Sequence, residues 1–482
     1  MLNFKLILNI LGRLIVLTGL LMLTSAIVSF YYHSPDLNAI LISSAICLVS
    51  GFLLHILTRK SDHVPGKKEG YFIVASGWLV ISFFGMLPYI LSGEIPRITD
   101  AFFETMSGFT TTGASILTNI EGMSPGLLYW RSMTQWIGGM GIIVMTIAII
   151  PYLGIGGMQL FVAEVPGFAP DKLHPRIKET AKRLWAIYVL FTVAEIILLY
   201  AGDMPLFDAI CHSFSTMATG GYSTKNASIA FYDSSYIHYI IILFMFIAGT
   251  NFTLAYFTLK GEFKKVIANE EFKVYSIGLI IAAVVIALVL VLVMGFKPSL
   301  AFRDGLFQVV SIVTTTGFIT ADYDQWNLFI KIFILALLFV GGCAGSTGGA
   351  MKVGRHLLLF KNTITEFRRI IHPRAIIPVR YNGKVVSPDI MSNILAFFYI
   401  YIMIFIFSTL LMIALGLDFN SAIGSVAATL GNIGPGIGQV GPTGNYAQIP
   451  EFGKWFLSFL MLVGRLELFT VIILFTKAFW KK

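Results

Sequence analysis

Long apolar runs separated by short polar breaks set the pattern of the chain. Ten of them, near 12–31, 38–58, 71–92, 128–150, 184–201, 237–259, 274–295, 328–350, 390–415 and 455–477, approach or exceed the roughly 20 residues a helix needs to cross a hydrocarbon core. Between them lie four shorter apolar segments, 100–112, 208–219, 304–316 and 421–433, too short to span and therefore predicted to be re-entrant. Each opens on Asp or Ser, an expected helix N-cap, and closes on a small polar cluster with a glycine: Gly113, Gly220, Gly317 and Gly434. The glycines recur about every 100 residues, which predicts a fourfold repeat of helix, short re-entrant helix, glycine loop and helix.

Composition fixes the solvent. With 56% hydrophobic and 12% charged residues, too little polar surface remains for a soluble protein of 482 residues. The expected class is an all-α polytopic membrane protein. Assigning alternate connections to opposite sides puts 26 of the 34 Lys and Arg on one side, including Arg59 to Lys68, Lys172 to Arg183 and Lys352 to Lys384. Both termini are then cytoplasmic. The net charge of +9 sits in these loops, which points to anionic lipid headgroups or an acidic partner and not to nucleic acid. The first run, with only a faint LTSA cleavage pattern, is expected to stay as a span. Cys47, Cys211 and Cys343 lack metal-ligand spacing and imply neither a disulfide framework nor a metal site.

Backbone that leaves helical geometry at membrane depth must be buried in protein or line an aqueous path. Four such loops around one axis would form a ring of carbonyl oxygens able to replace the hydration shell of a monovalent cation. Glycine permits the dihedrals such loops need, threonine hydroxyls hold the loop or add an oxygen, and the C-terminal dipole ends of the short helices favour a cation. The candidate ion-binding residues are Thr111, Thr112 and Gly113; Ala218, Thr219 and Gly220; Thr315, Thr316 and Gly317; and Asn432, Ile433 and Gly434.

The loop strings TTTGAS, ATGGYST, TTTGF and GNIGPG, in four such units behind an extra N-terminal helix pair, resemble the Trk/Ktr/HKT superfamily of cation transporters. The resemblance, closest to its bacterial potassium-uptake subunits, covers about residues 10–480. It implies a helix pair over 1–68, pore repeats over 69–160, 161–270, 271–385 and 386–482, and a potassium-selective pore in each chain. It also implies a homodimer in the bacterial inner membrane and a cytoplasmic nucleotide-binding ring of TrkA type that controls opening. No bound cofactor is implied apart from potassium ions. In plant relatives a serine at the first-loop glycine goes with sodium transport, so Gly113 favours potassium by resemblance.

The stretch Gly341, Gly342, Cys343, Ala344, Gly345, Ser346, Thr347, Gly348 and Gly349 falls inside the eighth run. Glycine costs about 1 kcal/mol relative to alanine in a helix interior, so a break is expected. The resemblance makes it an intramembrane gate; the alternative is close helix packing. Arg465 reads as the lone cation deep in a predicted span. By resemblance it projects into the pore near the gate; the alternative is an ion pair, with Glu467 or another carboxylate.

Glu104, Glu195 and His212 are expected in structural roles, Trp136 to Gly141 as a packing face, and the GxGxxG match at 436–441 as accidental. Catalytic constellations are absent from the sequence, so an enzyme is not expected. The remaining classes are a gated cation-conducting subunit and, as the alternative, a proton- or sodium-coupled symporter.

Overall fold

The computed structural model describes residues 2–59, 66–141 and 177–481. Its polarity is inverted relative to a soluble domain. Leu57 and Leu292 are each 78% exposed on the outside, whereas threonines and serines at the ends of the short helices are fully buried. That is the arrangement expected when lipid tails solvate the exterior and backbone polar groups are satisfied within.

The N-terminal pair, Phe4–Tyr31 and Leu37–Leu57, packs through small residues. A Cβ on Gly12 would lie 2.9 Å from the Gly51 carbonyl oxygen, and Ser44 donates to the Gly19 carbonyl at 2.8 Å. Lys68–Ser92, Lys182–Ala201, Glu270–Leu292 and Pro388–Ala414 then supply one long apolar helix to each of four units. Each is followed by a short helix: Ile98–Phe109, Leu206–Met217, Pro298–Val313 or Phe419–Leu430.

The short helices start earlier than expected. Arg97, Pro205, Lys297 and Asp418 occupy the N-cap positions, so Asp100, Asp208, Asp304 and Ser421 lie inside the helices. There they bind neighbours instead. Asp100 pairs with Lys454 at 2.6 Å, and Asp208 accepts from Thr224 at 2.6 Å and from Tyr232 at 2.7 Å.

Ten spans were expected; among the described residues six helices are long and apolar enough, or eight if two bent pairs are each one span. The run at 237–259 is bent by 109° between Ser235–Ala248 and Phe252–Leu259, where the Asn251 side chain caps the second segment by accepting from Thr253 N at 2.8 Å. The run at 455–477 is bent by 114° after Arg465, where Glu467 and Leu468 both take positive φ. The run at 328–350 is helical only over Leu328–Leu337, and the glycine stretch leaves the helix as expected. The run at 128–150 is helical over Pro125–Gly139; its part beyond 141, like residues 60–65 and 172–176 of two basic segments, lies outside the described residues.

Past the glycine stretch the chain forms the amphipathic helix Val353–Ile371 and a hairpin pairing Arg380 with Val385 and Tyr381 with Lys384. Asn382 and Gly383, at φ 48° and 75°, make its two-residue turn, the Asn-Gly chemistry that tight hairpins favour.

Candidate functional site

The four short helices end in the same way. Thr110, Ala218, Thr314 and Gly431 donate their N–H groups back to residue i−4, at 2.8, 3.2, 2.9 and 2.9 Å. Two residues further on, Thr112, Gly220, Thr316 and Ile433 donate to residue i−5, each at 2.8 Å. The residue between them is left-handed in every case: Thr111 (φ 53°), Thr219 (54°), Thr315 (60°) and Asn432 (52°). This is a Schellman-type helix end, but with β-branched residues at three of the four positions where glycine is usual. A threonine held at positive φ is an outlier of the kind that clusters at functional sites.

A second left-handed residue follows two places later: Gly113, Gly221, Gly317 and Gly434. The second unit is therefore shifted by one from the expected register. Gly221, not Gly220, is the counterpart of Gly113, and Gly220 is the counterpart of Thr112. Two adjacent glycines hid the shift in the sequence.

These glycines close a cycle. A Cβ on Gly113 would strike the Gly220 carbonyl oxygen, one on Gly221 that of Thr316, and one on Gly317 that of Ile433. A Cβ on Gly434 would fall 2.7 Å from the Thr112 carbonyl oxygen, which completes the ring in chain order. The four loops thus surround one axis at backbone contact, an approach only glycine permits. Gln135 donates to the Gly220 carbonyl oxygen at 2.5 Å. The carbonyl oxygens of Thr111, Thr112, Thr219, Thr315, Thr316, Asn432 and Ile433 receive no hydrogen bond from any described residue, although these residues are buried. Buried carbonyls are almost always paired, so this oxygen-rich ring is complementary to a desolvated cation.

Polar side chains hold the ring from behind. Seven residues before each left-handed position stand Glu104, His212, Gln308 and Ser425, all on the short helices. Glu104 accepts from Ser115 Oγ at 3.0 Å and Ile116 N at 2.9 Å; His212 Nε2 bonds Ser223 Oγ at 2.9 Å; Gln308 donates to Ala321 O at 3.3 Å. In three units, then, this position pins the strand leaving the loop. Glu104 also pairs with buried Arg131 at 2.7 Å, whose guanidinium donates to Ser223 O at 3.0 Å and stacks 3.5 Å from the Tyr222 ring centre. Glu104 and His212 are structural, as expected, but neither is isolated. Trp136 to Gly141 does pack closely: a Cβ on Gly139 would lie 2.6 Å from Ala218 Cα.

The stretch Gly341–Gly349 lies against the helix-end side of three of the loops. Thr219 Oγ1 donates to Thr347 Oγ1 at 3.3 Å, Gly349 N donates to Thr315 Oγ1 at 2.7 Å, and a Cβ on Gly349 would lie 2.8 Å from Asn432 Cβ. Arg465 completes the closure on the fourth side. It donates to Thr347 O at 2.6 Å and to Gly138 O at 2.5 Å, joining the stretch to the helix Pro125–Gly139. Glu467 pairs instead with Arg355, so it is not the ion-pair partner considered for Arg465.

Arg465 is half-buried, and other cations lie deeper: Arg131, Lys352, Arg355 and Lys454 are buried, and Lys352 donates to the Gly348 carbonyl oxygen. Lys352 lies just past the end of its apolar run, where the alternation of connections assigns it to a cytoplasmic loop; the glycine break shortly before it is the signal in the sequence for its burial.

Comparison with known proteins fits this geometry. The family model described as TrkH, cation transport protein, matches residues 36–482. The Trk system potassium uptake protein TrkH of Salmonella typhimurium is 43% identical over 486 residues, covering 100% of both chains, and that of Escherichia coli is 42% identical with the same coverage. The crystal structure of the potassium transporter TrkH from Vibrio parahaemolyticus superposes with a TM-score of 0.90 at 37% identity, covering 100% of each chain.

Proposed function

The chain belongs to the TrkH family of cation transport proteins, and on that premise we propose that the four-loop ring is its potassium selectivity filter. The protein is the potassium-uptake subunit of a Trk-type system, with channel-like permeation through the ring. The observation that carries this reading is the closed cycle in which each left-handed glycine abuts the carbonyl oxygen of the next loop. Uncommitted carbonyls of Thr112, Thr316 and Ile433, with that of Gly220, take over the ion's hydration shell, and the four helix ends add their negative dipole ends. Potassium is the cargo, and no other cofactor enters the reading.

The stretch Gly341–Gly349, pinned by Arg465, is the gate. The chain works as a homodimer in the bacterial inner membrane with both termini cytoplasmic, in contact with anionic lipid, and a cytoplasmic nucleotide-binding ring of TrkA type moves the gate. The units 69–160, 161–270, 271–385 and 386–482 are the four pore repeats, behind the helix pair of 1–68.

A second reading, coupled symport, has one observation in its favour. Glu195 is fully buried in a spanning helix, and its carboxylate, beside the Thr216 hydroxyl, has no ion-pair partner among the described residues.

The test is rescue of growth at low potassium in bacteria lacking potassium uptake, with rubidium uptake measured in the same cells. Rescue with rubidium uptake is expected. Correct membrane insertion without either outcome overturns the reading.

A further inference from the structure

One buried carboxylate ties the gate stretch to the cytoplasmic hairpin. Glu271 stands in the first turn of the helix Glu270–Leu292 and is almost fully buried. Its Oε1 accepts from Ala344 N, in the middle of the glycine stretch, and from Gly354 N, at the start of the amphipathic helix, both at 2.8 Å. Its Oε2 accepts from the Tyr381 hydroxyl on the hairpin at 3.0 Å. A Cβ on Gly354 would lie 2.9 Å from Oε1, so the helix start is moulded to this carboxylate.

The neighbouring residue anchors the same hairpin. Glu270 N donates to Asn382 Oδ1 at 2.8 Å, and Lys361 reaches both the Glu270 carboxylate at 2.5 Å and Arg380 O at 2.9 Å. Hairpin, amphipathic helix and glycine stretch therefore meet at two adjacent side chains. The hairpin is otherwise the exposed part of this assembly: Arg380, Asn382, Gly383, Lys384 and Val385 all face outward.

We propose that Glu271 is the positioning residue through which the hairpin Arg380–Val385 sets the gate, with Tyr381 as its contact on the hairpin. The inference rests on the reading of Gly341–Gly349 as the gate and names how that gate is governed. With all three donors in place the carboxylate braces Ala344 against the helix start and holds the stretch under the ring. Displacing the hairpin withdraws the Tyr381 hydroxyl, loosens the brace and frees the stretch to leave. A partner that pulls on the exposed hairpin has a direct line to the gate, with no need to reshape the filter.

The experiment is rubidium flux into liposomes holding the purified full chain without any partner, with the potassium-to-sodium permeability ratio measured alongside. Tyr381→Phe removes one hydrogen bond and is expected to raise partner-free flux on the order of threefold. Glu271→Ala is expected to raise it further. The double variant should match Glu271→Ala alone, because on this proposal Tyr381 reaches the gate through that carboxylate. The permeability ratio should stay native in all of them, which general loosening of the fold would not allow. Native flux in Tyr381→Phe, or a Tyr381→Phe effect that adds in full to Glu271→Ala, overturns the proposal. If Glu271→Ala does not incorporate, Tyr381→Phe alone decides. Absence of rubidium flux in both the native chain and its Arg465→Ala variant overturns the transport reading; selective flux indifferent to the hairpin overturns only this inference.

Discussion

The guanidinium of Arg465 donates to the carbonyl oxygen of Thr347 at 2.6 Å, joining the last bent helix to the middle of the glycine stretch. The same side chain holds Gly138 O, so one residue ties the glycine stretch to the helix Pro125–Gly139. On the proposed permeation path its charge would also oppose cations where little water screens it.

Arg465→Ala should raise partner-free rubidium flux on the order of tenfold or more, since hydrogen bonds from a charged donor contribute roughly 1.5–3 kcal/mol. Arg465→Lys should retain part of the barrier. Flux assays at equal incorporation decide; a variant that fails to assemble would mark Arg465 as a structural tie.

Removing Ala344 to Thr347 should leave the ring intact and make uptake faster and less dependent on a partner. These residues supply the Thr347 and Ala344 contacts that hold the stretch in place. Equal low flux in native and shortened chains would place the constriction elsewhere.

The fourfold loop spacing, the glycine break and Arg465 were legible because each interrupts a strongly apolar background. Other features were not, for local reasons. The bends near Gly249 and after Arg465 fall in runs that stay apolar enough as a whole to read as single spans, so only Asn251 as a cap and the positive φ of Glu467 and Leu468 reveal them. The register of the second loop was ambiguous between Gly220 and Gly221, and dihedral angles, not composition, decide it. Glu104 and Arg131 are 27 residues apart, so only folding brings them together.

The register makes a sharp contrast between adjacent glycines. Gly221→Ala forces a side chain onto the Thr316 carbonyl oxygen at positive φ, and should abolish selective flux. In Gly220→Ala the new Cβ meets the Gln135 side chain, which can shift, so a milder loss is expected. Permeability ratios for the two variants separate them; equal damage would count against the assigned register. Gly113→Ser, at the corresponding site of the first loop, should lower potassium preference over sodium.

Glu104→Ala leaves Arg131 buried without its carboxylate. Breaking such a pair costs roughly 3–5 kcal/mol, so a large fall in thermal stability in detergent is expected. An unchanged melting temperature would show that Arg131 finds other partners.

Glu195→Gln distinguishes conduction from coupled symport. Channel-like permeation predicts potassium flux unchanged in size and in its response to a proton gradient. Loss of a proton-driven component in the variant would favour symport.

A desolvated potassium ion held by the four-loop ring would be seen by anomalous diffraction from crystals of the full chain grown in rubidium. The expected result is a rubidium peak on the axis enclosed by the carbonyl oxygens of Thr112, Gly220, Thr316 and Ile433, weakened when sodium replaces rubidium. Rubidium bound elsewhere with the ring empty would contradict potassium binding in the ring.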